Sequence, residues 1–595
     1  MRFRHGSDPV VGTQPTPFDL PGFTLPLDFK PKKEMDDIVY PNALDTEDIE
    51  DGYVGHLFPV RELTMMRIME TITDKPNWEE KVFNEEIAAK WRQEIQDGES
   101  VTERMMDYIL AELRWKTQEY KNTRILESYD PGVVKSDTAI PRDILQTLQD
   151  LARSLEQEGP KDYHPKSDNK VVNLVHPALF PLVFGRTRVL RDKLIGIDDC
   201  SLNVGLGEQT TVPDLSGRGY PRHSHNPYSN HFQWLPCEVK FDSNGECQIA
   251  SYINNLHPAK HRDLYRVIEQ VLTRTIPLWN KSLTRERGST RIPYNEIEYL
   301  PTAEPEPELA SDESEDDEFT DRHIEWRNSR QPKHPDAPPF SPPFDDTFDS
   351  VCDFPDLQAR YVDKGLQVIV KLANIELTPE NPCYEGGSWH VEGQLNERIC
   401  STAIYYYDSE NVTENTLSFR HRGDERFFDD FFQYEQGEFQ FLRVFGFEPD
   451  SGGFGHEPIT QNLGGVTCRE GRLLTFPNTL QHRVSPFSLA DSSRPGHRKI
   501  LAFFLIDPSR RIISTANVPP QREDWCNEWA DAMQKTLGQR LPVELQDMIM
   551  SDVDFAPMTM DEAKGYRLEL MEERGVKATE ANLDFELGGF HLCEH

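Results

Sequence analysis

Between residues 365 and 510 the β-branched and aromatic residues fall in short runs closed off by turn formers, which is the pattern of strands. Gln367–Glu376, Ile399–Tyr407, Arg472–Phe476, His482–Phe487 and Lys499–Ile506 are such runs. No helical period interrupts them, so this stretch predicts a sandwich, barrel or jelly roll. The flanks read differently. Over residues 58–157, Leu63, Met66, Ile68, Met69 and Ile72 recur at helical spacing. Pro76-Asn77 breaks that pattern, and Trp78–Ile95, Thr102–Arg114 and Pro141–Leu155 resume it. Residues 165–256 return to short strands and loops, as in Val171–Val175 and Cys237–Phe241. Residues 257–286 predict a helix with Leu264, Val267, Ile268, Val271 and Leu272 on one face, and Arg522–Leu537 and Met560–Glu573 predict helices after Pro520. The expectation is an α+β chain in six stretches. These are an extended arm (1–55), a helical subdomain (56–160), a mixed region (161–300), an insertion (301–345), a jelly-roll core (346–515) and C-terminal helices (516–595).

Composition narrows the partners. The chain has 595 residues and a net charge of −38, from 64 Lys plus Arg against 102 Asp plus Glu. A chain gripping phosphate backbones or anionic lipid needs clustered cations, so neither nucleic acid nor a membrane surface is expected. Ten of the acidic residues fall between Glu304 and Asp321, with no basic residue among them, ahead of a proline-rich stretch. This insertion predicts a solvated, disordered loop, with an acidic interaction segment as the sharper alternative. The N-terminus lacks the apolar core of a secretory signal, and no run of about 18 apolar residues occurs. The nine cysteines form no CxxC pair. A reducing, cytoplasmic or nuclear setting fits these features.

The strand-rich region also carries the candidate chemistry. In Gly386-Gly387-Ser388-Trp389-His390-Val391-Glu392, residues two apart share a face in extended chain, so His390 and Glu392 present an imidazole and a carboxylate together. His482 lies 92 residues on, at the start of a later strand. Two His and one carboxylate leave three positions of an octahedron open, which is the ligand set of non-haem Fe(II) oxygenases. Arg498, 16 residues after His482, opens an apolar strand and can bind a carboxylate through two hydrogen bonds. Pairing of Arg498 with Asp507, Asp429 or Asp430 is the plainer alternative. His223, His225 and His231 sit in a loop-like, proline-flanked segment and read as solvent-exposed, whereas His456 reads as edging the site. Trp389 and the Phe-rich segment 421–462 are candidates for a lid or substrate wall, and Tyr405 or Tyr407 for facing the pocket. Gly464-Gly465 does not make a phosphate loop, since no GxxxxGK follows.

With these residues in view, HxE, a distal His and a strand Arg resemble the Fe(II)/2-oxoglutarate-dependent dioxygenase superfamily. The stretches GGSWHVEGQLNE, TAIYYYDSEN, REGRLLTFPNTLQHRVSPF, GHRKILAFFLIDP, FQWLPCEVKF and SYINNLHP are similar to a fungal family of uncharacterised proteins, the domain of unknown function 4246. The resemblance spans roughly residues 18–575. It implies a double-stranded β-helix, with His390, Glu392 and His482 as iron ligands and Arg498 holding the far carboxylate of 2-oxoglutarate. It also implies that the strand containing Asn374 contacts the cosubstrate, with Asn374 the candidate residue. Glu392 departs from the commoner Asp, and its extra methylene moves the carboxylate outward. The implied activity uses Fe(II), 2-oxoglutarate and O2 to oxidise a C–H bond, by default to an alcohol. A small molecule such as an amino acid or natural product is the expected substrate. The alternatives are a protein side chain, given the room for a docking surface before residue 300, and a non-catalytic jelly-roll scaffold that uses its acidic loop to bind a partner.

Overall fold

The computed structural model describes residues 11–12, 16–31, 40–45, 56–96, 101–215, 226–284, 290–294, 296–307, 321–342, 355–424, 427–428, 439–448, 457–525, 542, 545 and 557–588. Most of the acidic insertion, His223, His225, His456, Asp429, Asp430 and most of the predicted helix Arg522–Leu537 lie outside them.

Helices α1 (Val60–Thr73), α2 (Glu85–Gln96) and α3 (Glu103–Thr123) follow the predicted periodicity. Thr102 caps α3 by accepting a hydrogen bond from the Met105 amide, 3.1 Å away. The next stretch departs from the helical reading. Strands β1 (Leu126–Tyr129) and β2 (Val133–Ser136) form a hairpin that joins the main sheet, because the short apolar run LESY…VVKS is closed by Pro131-Gly132. Helix α4 (Arg142–Glu156), strands β3 (Val171–Val175), β4 (Cys237–Phe241) and β5 (Cys247–Ile249), and helix α5 (Arg262–Ser282) complete the upstream half.

The downstream half supplies β6 (Leu366–Leu377), β7 (Ile399–Glu410), β8 (Thr416–Arg422), β9 (Thr460–Thr467), β10 (Leu473–Pro477), β11 (Gln481–Val484) and β12 (Gly496–Ile506). The main sheet runs β5-β4-β6-β12-β7-β10-β2-β1, with β3 also pairing β6. A smaller sheet runs β9-β8-β11, and His390 extends it through a bridge to His482. Successive strands from β6 onward thus pass back and forth between two antiparallel sheets.

The two faces of the main sheet have different partners. Ile369, Ile404, Tyr406, Phe476, Ala502 and Phe504 point inward and meet Leu417, Phe419, Leu463 and Val466 of the smaller sheet. Val370, Leu372, Tyr405, Tyr407, Leu501 and Phe503 point outward and are covered by α4 and α5, through residues such as Leu148, Ile268 and Leu272. Burial on both faces explains why these strands read as unbroken apolar runs. Helix α6 (Met560–Glu586) runs farther than predicted. Among the described residues, no helix is long and apolar enough to cross a membrane.

Candidate metal centre

The Gly-Gly-Ser-Trp-His segment lies along β11. Gly386 has φ +89°, and a Cβ there would stand 2.8 Å from the Val484 carbonyl, so only glycine fits this close approach. Gly387 donates to that carbonyl at 2.9 Å, and His390 and His482 exchange backbone hydrogen bonds of 3.2 and 3.0 Å. The bridge sets the two imidazoles side by side, with ring centroids 4.4 Å apart. Glu392 Oε1 lies 3.4 Å from His482 Nε2 and 3.9 Å from His390 Nε2. One ligand atom from each of His390, Glu392 and His482 falls within 4.8 Å of the others, and among the described residues this is the only such group of three.

Each ligand is oriented by a neighbour. The Ser388 carbonyl accepts a hydrogen bond from His390 Nδ1 at 2.8 Å, which leaves Nε2 free to donate its lone pair. His482 packs against the Phe476 ring, centroids 4.7 Å apart. Fully buried Asn478 holds Glu392 from both sides: its Oδ1 accepts from the Glu392 amide at 2.9 Å, and its Nδ2 donates to the Glu392 carbonyl at 3.0 Å. Side-chain exposure falls from 39% at His390 to 14% at Glu392 and 4% at His482, so the centre opens to solvent on the His390 side. Burial, together with His482, pushes the His390 imidazole down toward its neutral form. Burial alone would raise the Glu392 carboxyl. The hydrogen bond from His482 and the two imidazoles outweigh it and hold the carboxyl at about 2. Neutral imidazole and ionised carboxylate are the forms that bind metal.

Arg498 stands on the inward face of β12, buried between the Tyr406 and Phe487 rings at 5.6 and 5.0 Å. Its Nη1 donates to Asn415 Oδ1 at 2.5 Å, while its Nε is buried without a hydrogen-bond partner. Asp507 pairs with Arg510 rather than with Arg498.

Two expectations need correction. Asn374 faces outward: its Nδ2 donates to Glu156 at 2.8 Å and its Oδ1 accepts from Tyr407 at 3.4 Å, under α4 and away from the triad. Lys371, three residues earlier, stands on the inward face instead, and its charge helps to lower the Glu392 carboxyl. Tyr405 and Tyr407 also lie on the helix-covered face, and Tyr406 faces inward. In the 421–462 segment, the described Phe427, Phe428, Phe441 and Phe445 bury one another with Leu57, whereas Phe431, Phe432 and Phe454 lie outside the described residues. Trp389 is stacked between Arg420 and Arg483, at 4.7 and 4.5 Å.

The sequence also gave no sign of Asn478 or of α6 as parts of the centre. From α6, Asn582 Nδ2 donates to the Trp389 carbonyl at 2.8 Å, and its Oδ1 accepts from Gln481 at 2.7 Å. Asn582 therefore joins the residues that directly precede the two histidine ligands. A separate cleft, lined by Asp198, Asp199, Arg262, Arg266 and Glu269, contains none of these residues.

Residues 103–529 match the family described as "Protein of unknown function (DUF4246)", and residues 20–94 match "Domain of unknown function DUF4246, N-terminal". The chain belongs to this family of unknown function. No curated protein matches it.

Proposed function

We propose that the chain is a non-haem Fe(II)- and 2-oxoglutarate-dependent oxygenase built on a double-stranded β-helix, acting on a small molecule. The observation that carries this reading is the convergence of His390, Glu392 and His482 at the mouth of two facing antiparallel sheets. The alternation of β6 to β12 between those sheets supports the β-helix assignment.

The donor set fits a divalent iron. Two imidazole nitrogens and one carboxylate oxygen bind one face and leave the other open. The unmet Nε of Arg498 fits a cosubstrate carboxylate. When bound, Fe(II) with 2-oxoglutarate and O2 supplies C–H oxidation coupled to cosubstrate decarboxylation. The chain itself binds, orients and shields. His390, Glu392 and His482 hold the ion, and Asn478 and Ser388 fix the ligand orientations. Arg498 anchors the far carboxylate, and Phe419 and Phe476 keep water from the inner side.

The test is anaerobic addition of Fe(II) and 2-oxoglutarate to the purified protein. The expected result is a weak visible charge-transfer band, with succinate formed once O2 is admitted. A His390→Ala variant that forms succinate at the full rate overturns the reading.

A further inference from the structure

On the inward face of β6 stands a cation that has no ion-pair partner among the described residues, and we propose that it receives a carboxylate of the substrate. The inference rests on the oxygenase reading above and names the substrate class. Lys371 lies on the inward face of β6, directly opposite Ala502 of β12. It is half-buried and, among the described residues, makes no hydrogen bond or ion pair. It faces the interior between the two sheets, at whose mouth the His390–His482 bridge lies, and its charge bears on His390, Glu392, His164 and His176.

The other charges on this wall are matched. Arg567 of α6 donates to Asp162 at 2.5 Å, and Arg574 of α6 to Glu397 at 2.5 Å. His164 and His176 stand with ring centroids 5.2 Å apart, and burial keeps both neutral. Among the described residues of this wall Lys371 is the charge left over, in a chain whose net charge is −38. The loaded centre gives the same balance: a divalent ion, Glu392, a dicarboxylate dianion and Arg498 cancel, and Lys371 remains. A half-buried ammonium loses hydration that only an anion restores well.

The wall also has hydrogen-bonding capacity in reserve. Arg567 Nε is buried without a partner, while the His164 and Asn173 side chains lie against each other as donor and acceptor. A buried N–H left unmet calls for an acceptor. One unmatched positive charge suits a monoanionic carboxylate better than a phosphate dianion. The geometry therefore points to a small carboxylic acid, held by Lys371 with its reacting carbon toward the open face of the triad.

The experiment titrates acetate, inorganic phosphate and, as the neutral control, acetamide into the anaerobic full-length protein loaded with Fe(II) and 2-oxoglutarate. The visible band and the melting temperature are followed in the wild type, Lys371→Met and Lys371→Gln. Acetate should perturb the band and raise the melting temperature of the wild type, with acetamide inert. Either variant should keep the band and weaken acetate binding about tenfold or more. An undisturbed band in the wild type, or equal acetate binding by folded Lys371 variants, overturns the inference and leaves the oxygenase reading intact. A response to phosphate alone overturns the carboxylate assignment. If no band forms before any anion is added, the oxygenase reading itself fails, and the inference fails with it.

Discussion

Asn478 gives the sharpest test of how the centre is held. It touches no ligand atom of the triad, yet its amide makes two hydrogen bonds to the Glu392 backbone, of 2.9 and 3.0 Å, in a fully buried position. Asn478→Ala removes both and leaves a buried N–H and C=O unmet. At about 1 kcal/mol for each bond the loss is about 2 kcal/mol. If that energy serves to place Glu392, it converts to about a 30-fold rise in the metal dissociation constant. This falls within the roughly 10–100-fold range seen when outer-shell partners of metal ligands are removed. Asn478→Asp keeps the acceptor for the Glu392 amide but buries a carboxylate oxygen against the Glu392 carbonyl, so its loss should be at least as large as that of the alanine variant. Competition titration of Fe(II) or Mn(II) against a chelator measures both variants anaerobically, and circular dichroism verifies that they fold. Unchanged metal affinity in a folded Asn478→Ala protein would refute the claim that this residue positions Glu392.

Other expectations follow from the same geometry. Because the Glu392 carboxyl is held at about 2 and His390 is pushed down toward about 4, NMR titration of the metal-free protein should show His390 neutral and Glu392 ionised down to about pH 5; a His390 signal that titrates near pH 6.5 would contradict these environments. Asn582→Ala cuts the link between the residues preceding both histidine ligands and should weaken metal binding severalfold with little loss of melting temperature. Far from the site, Arg291 is buried against Glu62, Glu112 and Asp130, so Arg291→Met strands carboxylates and should lower unfolding free energy in urea by about 3–5 kcal/mol. Burial raises Glu62 to about 7, so the folded state holds a proton there that the unfolded chain releases near 4.5. Stability should therefore decline as pH rises across that window, and Glu62→Gln should flatten the decline.

The triad was legible because alternation in extended chain places His390 and Glu392 on one face whatever the rest of the fold does. The strands β6, β7, β10 and β12 were legible from their apolar runs. Those runs, however, concealed which face was which. With apolar residues on both sides of β6, no polar alternation marks Lys371 as inward and Asn374 as outward. Three consecutive tyrosines in β7 hide the parity of Tyr406 in the same way. Strands β8 and β9 were missed for another reason. β8 carries Arg420, His421 and Arg422, and β9 contains Gly464-Gly465. Gly464 has φ +140°, and a Cβ there would stand 2.5 Å from the Tyr129 hydroxyl, so packing against β1 decides that residue rather than strand propensity. The roles of Asn478 and Asn582 arise from contacts 86 and 193 residues distant in sequence, which no local pattern carries.

The latch formed by α6 has a consequence for the order in which the protein is made. Residues 389 and 481 meet Asn582 only after nearly all of the described chain has left the ribosome. Domains fold as units while synthesis proceeds, so a nascent chain ending near residue 529 has every strand of both sheets, every proposed iron ligand and the backbone bridge between His390 and His482, but not the Asn582 side-chain link to the residues before them. The link to Trp389 and Gln481 is thereby delayed until α6 has been made, and a product truncated before α6 would carry the three ligands without the helix that steadies them.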